Sequence, residues 1–259
     1  MRGDLTGAPA TAVQCARALG CNRISGNVAE DGAGVRGQGS AFRAESSRGV
    51  LEEHAEYQVV IEGARIQGND GINTIRTISN TYGDGSLELN GAVIAGNRAD
   101  NELLFAERSL ILRSVTLGAN ALAGPNVIRA LNGGAVQVAR SIIWQPGART
   151  LLSNEGSVHD DYVVYNIASD FTDIPGSPTN VIADPLFVDT ANGDVHLSVE
   201  SPAIDYAPAS NDPEADDATR VVDLDEIEDE FGTQDAGAYE VQQVPLDDTI
   251  FADGFDDTP

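Results

Sequence analysis

The chain has 259 residues, with 41% hydrophobic residues, 5% aromatic ones and 27 glycines. That balance suits many short β-elements joined by tight turns, and it excludes a helical bundle, which needs more leucine and far less glycine. A net charge of −26 excludes a protein built to hold DNA or RNA phosphates.

The charge is uneven. Residues 181–259 hold 22 of the 41 acidic residues and a single base, Arg220, for a net of −21. Residues 1–180 carry 19 acids and 14 arginines, for a net of −5. The chain has no lysine. The acidic third keeps a surface solvated, and divalent cations or basic partners suit it electrostatically.

At the start, Met1-Arg2-Gly3-Asp4 is followed by no apolar stretch, so no secretory leader is visible, and the sequence leaves open whether the N-terminus is complete. Arg2-Gly3-Asp4 matches a cell-attachment tripeptide, which so short a string does readily by chance. Cys15 and Cys21 are too few for a disulfide framework and lack metal-ligand partners. They either pair with each other in an oxidising compartment or act as small buried hydrophobes. No apolar run reaches the 18 residues that a membrane-spanning helix needs.

A repeat then decides the fold. Val59, Ile61, Ala64 and Ile66 recur as Leu87, Leu89, Ala92 and Ile94, as Leu110, Leu112, Val115 and Leu117, and as Val136, Val138, Ser141 and Ile143. The offsets are 28, 23 and 26 residues. A weaker early copy keeps Leu19 and Ile24, and the 42 residues from Ile24 to Ile66 leave room for two short coils. Within a copy each apolar pair is two apart, the period of a strand. The step between pairs is three, so the alternation slips, and the second strand faces inward only if the chain bends there. Gly63, Gly91 and Ser114 stand at the bend, and Arg140 departs from the pattern. Each copy reads as strand, corner, strand.

The turn after the second strand repeats as well: Ile24-Ser25-Gly26-Asn27, Ile66-Gln67-Gly68-Asn69, Ile94-Ala95-Gly96-Asn97 and the degraded Leu117-Gly118-Ala119-Asn120. Gly and Asn tolerate the positive φ that a sharp turn needs. Stacking in register would align Asn27, Asn69, Asn97 and Asn120 as an amide ladder, at an interstrand spacing of roughly 4.8 Å. A β-sandwich does not repeat one motif at this period, and the Leu/Asn pattern of leucine-rich repeats is absent. The expected fold is all-β: a right-handed parallel β-helix over residues 1–182, with Ile66, Ile94, Leu117 and Ile143 on one inward face.

These Ile-x-Gly-Asn turns, the Leu-x-Leu strands before them and Gly32-Ala33-Gly34-Val35 resemble the parallel β-helix repeats of bacterial surface and secreted proteins, those like polymorphic outer-membrane proteins in particular. Further on stand Ala183-Asp184-Pro185-Leu186-Phe187-Val188-Asp189, Gly193-Asp194-Val195-His196-Leu197, Ser201-Pro202-Ala203-Ile204-Asp205 and Asp235-Ala236-Gly237-Ala238-Tyr239-Glu240. In this order they resemble the terminal module called a choice-of-anchor domain. The resemblance implies a secreted or surface-exposed bacterial protein and no activity. Physically, residues 183–240 would close the last coil, whose raw edge needs a cover, using Leu186, Phe187, Leu197, Ile204 and Tyr239. The ten acids between Asp212 and Glu230 predict a solvated loop over 211–230 that projects from this module. Residues 241–259 form an acidic tail, whose Phe251-Ala252-Asp253-Gly254-Phe255-Asp256 is similar to an ending of some secreted Gram-negative proteins.

Chemistry is sparse. β-Helix lyases need a basic residue and a cation or arginines against the substrate acid. Arg23, Arg65, Arg113 and Arg140 are available, but no paired acids accompany them, and a structural or solvent-facing role is expected. Glycosidases need two carboxylates converging on one bond. Asp160-Asp161 beside His159 point to opposite faces of a strand, and His54 and His196 show no partner pattern. The run Asp223–Glu230 lacks the glycine and ligand spacing of an EF-hand, which leaves Asp223, Asp225 and Glu226 as a loose Ca²⁺ site at most. No catalytic residue and no cofactor other than Ca²⁺ is expected. The expected function is a monomeric, non-catalytic, adhesin-like protein, secreted or on the cell surface, contacting polysaccharide, matrix or other cells. The alternative is a polysaccharide lyase or glycoside hydrolase.

Overall fold

The computed structural model describes residues 58–80, 83–84, 86–131, 135–148, 153–154, 158–171, 177–216, 218, 220 and 222–242, with short strands at 5–6, 23–25, 28–29 and 35–38. Leu19, Asn27, Cys15, Cys21, His54 and the tail beyond residue 242 lie outside the described residues, as do the side chains of Arg23, His159, Asp160 and Asp161.

The chain winds as a parallel β-solenoid, and each complete coil visits four faces. The coil from Ser86 illustrates the path: Ser86–Asn90 on the first face, Val93–Ala95 on the second, Arg98–Ala99 on the third and Leu104–Ala106 on the fourth. Neighbouring coils pair in parallel on every face, giving sheets of five, eight, four and six strands in that order. Among the described strands, antiparallel pairing is confined to Gly83–Asp84 against Ser79–Asn80 and to Phe187–Asp189 against Asp194–Leu197.

The repeat sets the register. Val59, Leu87, Leu110 and Val136 are direct partners, as are Ile61, Leu89, Leu112 and Val138. On the second face Ile24, Ile66, Ile94, Leu117 and Ile143 stack in one column. The last four are buried in a single core with Leu104 and Ile128 from the fourth face. Ile24 pairs with Ile66 itself, so the two stand on neighbouring coils and the offset of 42 does not hold two.

The bend between the first and second faces is left-handed in each copy: φ is 51° at Gly63, 55° at Gly91, 49° at Ser114, 52° at Arg140 and 58° at Tyr165. Arg140 therefore keeps the conformation of the corner while departing from its composition. The second turn repeats the device at Gly68, Gly96 and Ala119. Beyond it, Asn69 Nδ2 donates to Asn97 Oδ1 (2.9 Å) and Asn97 Nδ2 to Asn120 Oδ1 (3.0 Å), the expected amide ladder. A second ladder arises where the corner residues turn polar: Ser141 N donates to Asn166 Oδ1 (2.9 Å) and Asn166 Nδ2 to Asn180 Oδ1 (3.0 Å).

Residues 183–242 do not add a coil. They lie as an irregular cover along the outer side of the second face. Val93, Ala95, Ile142 and Ile167 pack outward against Val195, Leu197, Ala203, Ile204, Ala238 and Tyr239. The sequence reading placed this segment over the last coil's open edge, but its contacts run back along the coils to Arg65, whose guanidinium sits 5.2 Å from the centre of the Tyr239 ring. The corner row is the docking edge. Pro213 lies so close to Gly91 that a Cβ there would sit 1.8 Å from its carbonyl oxygen. Ser114 Oγ and Arg140 Nη2 both donate to Asp212, at 2.8 and 2.7 Å, and Tyr165 meets Phe231 edge-on. The described part of the segment 211–230 is irregular, and its beginning is folded in: Asp212, Glu214 and Ala215 pack against the coils, and Leu224 is buried.

Candidate functional site

The fourth face, which the repeat analysis did not resolve, carries the one arginine–aromatic column among the described strands. Arg36, Arg76, Phe105 and Arg129 are successive partners in register. Their neighbours Ile75, Leu104 and Ile128 point into the core, so Arg76, Phe105 and Arg129 point outward. Arg76 lies over the Phe105 ring at 5.0 Å, a cation–π contact. Arg129 lies 3.5 Å from Glu102, which also accepts from Asn73 Nδ2 (2.8 Å). Arg76 and Arg129 are two coils apart, about 9.6 Å along the stack. The spacings from 76 to 105 and from 105 to 129, 29 and 24 residues, are each one residue longer than the core repeat over the same coils and are the signal that the sequence offers.

Of the arginines singled out from the sequence, Arg65, Arg113 and Arg140 make structural contacts. Arg113 pairs with Glu88 on the first face, Arg140 is tied to Asp212, and Arg65 covers Tyr239. On the third face Arg98 bridges Asp70 (2.9 Å) and Asp100 (3.0 Å) in an exposed pair of small energetic weight.

The cover holds an unusual interior of carboxylates, which serve as acceptors for backbone N–H groups that no sheet satisfies. The N–H of Asp205 donates to Asp235 Oδ1 (2.9 Å), that of Asp235 to Glu240 Oε2 (3.2 Å) and that of Glu240 to Glu214 Oε1. The second oxygens are used as well: Asp235 accepts from Val241 (2.7 Å), Glu240 from Val222 (2.9 Å) and Glu214 from Asp216 (3.2 Å). Burial, reinforced by the neighbouring Asp216, pushes Glu214 up to about 8. Burial and the charge of Asp235 push Glu240 up to about 8, and burial raises Asp235 to about 7. Arg220, the one base of the cover, gives Nη2 to the Gly237 carbonyl (2.7 Å). Asp212 behaves oppositely: against its burial, Arg140, Ser114 and Ser210 hold it below the ordinary aspartate value.

His196, without a visible partner in the sequence, has two in the structure. Its Nδ1 lies 2.5 Å from Asp194 and its Nε2 lies 3.8 Å from Asp216, and the ring stacks on Tyr239 at 3.9 Å. The Ca²⁺ candidates separate. Asp223 converges with Asp205 and Asp229, one oxygen from each lying within 4.8 Å of the others. Asp225 and Glu226 are exposed and stand outside that group. In the sequence Asp205 closes the Ser-Pro-Ala-Ile-Asp motif, and nothing local marks it as a partner of residues 18 and 24 positions on.

No helix among the described residues is long and apolar enough to cross a membrane. In comparisons with known proteins, no family model, no curated protein and no solved structure matches this chain.

Proposed function

We propose that this protein is a non-catalytic, secreted or surface-exposed β-solenoid that holds acidic polysaccharide along its fourth face, in the manner of an adhesin. The observation that carries the reading is the column of Arg76, Phe105 and Arg129. Guanidinium groups pair in two-point fashion with carboxylate or sulfate. A ring between them offers a flat apolar surface to a sugar. Their spacing repeats along a rigid axis, as charged units repeat along an extended polysaccharide. The acidic cover lies over the second face and leaves the fourth to the coil body, whose residues are nearly charge-balanced. Screening over about 8–10 Å lets the local arginines act despite the net charge. The resemblance to β-helix surface proteins and to the choice-of-anchor module supports the secreted or surface setting.

Affinity electrophoresis through gels containing polygalacturonate, alginate or neutral dextran tests this. The acidic polymers are expected to retard the chain, dextran to leave it unretarded, and salt to weaken the effect. R76Q/R129Q is expected to lose at least about tenfold in affinity, roughly the weight of one charge-assisted contact. Unchanged retardation of that variant ends the reading.

The lyase or hydrolase alternative rests on a different observation, His196 between Asp194 and Asp216 with Arg65 across Tyr239. A histidine oriented by a carboxylate can serve as a general base. Release of unsaturated or reducing ends from the same polymers, abolished by H196A, would establish it in place of the binding role.

A further inference from the structure

Asp205 stands apart from the other buried acids of the cover. It is fully buried and sits in a turn at φ 47°. Its Oδ2 accepts from the Leu224 N–H (3.3 Å), and its Oδ1 has no partner among the described residues. The same carboxylate presents an oxygen within 4.8 Å of oxygens from two exposed acids, Asp223 and Asp229. Three carboxylates drawn this close repel one another unless a positive charge lies among them.

We propose that Asp205, Asp223 and Asp229 bind a Ca²⁺ ion that clips the acidic segment 222–230 to the turn at Asp205. Oxygens that each sit about 2.4 Å from one ion are at most about 4.8 Å from one another, and the three oxygens here lie within that limit. All three donors are hard carboxylate oxygens, and among the described residues no histidine or cysteine joins them, a set suited to Ca²⁺ and unsuited to zinc. Asp223 and Asp229 are exposed and leave the outer side to water, as a loosely shaped Ca²⁺ shell allows and a strict octahedral Mg²⁺ shell tolerates less well. The loop is already laid around the site: Glu230 N–H donates to the Asp205 carbonyl (3.0 Å) and Ile227 N–H to that of Leu224 (2.7 Å). An ion there supplies Oδ1 with its missing partner. It also offsets the charge of a segment in which Asp225, Glu226, Glu228 and Glu230 stand exposed.

The test uses the full chain stripped with a chelator, then melted in millimolar CaCl₂, in MgCl₂ and in NaCl of equal ionic strength, with calorimetric titration of Ca²⁺ alongside. Binding of one Ca²⁺ per chain is expected, with a melting temperature raised by about 4 °C or more beyond NaCl and beyond MgCl₂. D223N/D229N, two surface changes, should abolish both while melting in NaCl no lower than the parent. D225N/E226N removes the same charge beside the site and should keep both. Equal effects of CaCl₂ and NaCl, no measurable Ca²⁺ heat, full retention in D223N/D229N, or equal loss in the two double variants would each overturn the proposal.

Discussion

In the coils each turn repeats the backbone path of the one before, so N–H and carbonyl groups find partners one coil away and the interior is left to Ile, Leu, Val and Ala. Among the polar side chains buried there, Asn69, Asn97 and Asn166 are amides, which both donate and accept and so continue a ladder. The cover has no such repeat. Its backbone crosses the outer side of a sheet with few partners of its own, and it answers with Asp205, Glu214, Asp235 and Glu240, acceptors reaching N–H groups that would otherwise be orphaned. Burying polar chain is therefore possible in two ways: by repetition, which costs no charge, or by carboxylates, which tie stability to pH. The non-glycine corners join the two regions. A left-handed Ser114, Arg140 or Tyr165 is strained by about 1 kcal/mol or more relative to glycine, and each of these side chains holds the cover, through Asp212 or Phe231.

The largest effect should come from breaking the repetition itself. Ile94→Asp places an unpaired charge in the middle of the Ile66–Ile94–Leu117 column and should cost more than about 4 kcal/mol, unfolding coils and cover together. Circular dichroism and melting close to those of the parent would show that the column does not carry the fold. Next is Glu240→Ala, which leaves the buried N–H groups of Val222 and Asp235 unpaired, at about 2–3 kcal/mol. Here the strand signal should persist while protease cuts within 183–242 much faster. Glu240→Gln, with one good acceptor, should fall between. Equal protection of all three chains would mean that the carboxylate does not hold the cover.

The smallest effect is a dependence on pH. Glu214 faces Asp216 and Arg220, and Glu240 faces Asp235 and Arg220. Both glutamates titrate near 8 when folded, against 4.5 for an ordinary glutamic acid. The native chain thus keeps protons that the unfolded chain has released, and their contribution is full below about pH 4.5 and is lost as pH rises through about 8. Asp212, Asp194 and Asp216 are held low and act the other way, losing their contribution only below an ordinary aspartate value of 3.8. The cover should melt roughly 5 °C higher at pH 5 than at pH 8, and E214Q/E240Q should flatten that difference. A slope of opposite sign would mean that these glutamates are ionised in the folded chain.

Much of the coil was legible because its determinants are local and periodic. Pairs of apolar residues two apart, with a slip of three at a small residue, state both the strands and the bend, and their recurrence states the register. The third and fourth faces escaped because most of their strands are only two or three residues long, too short for alternation to show; Arg98–Ala99 and Leu104–Ala106 mean little until stacked on their neighbours. The arginine–aromatic column was hidden for that reason. In the cover the sequence determined charge and order but not placement. Only the tertiary structure decided that Asp205 meets Asp223 and Asp229, that His196 stands between two aspartates, and that Glu214 and Glu240 lie inside. A repeat carries its contacts as a fixed offset along the chain. An irregular segment makes each of its contacts once, at a separation that nothing in its own pattern encodes.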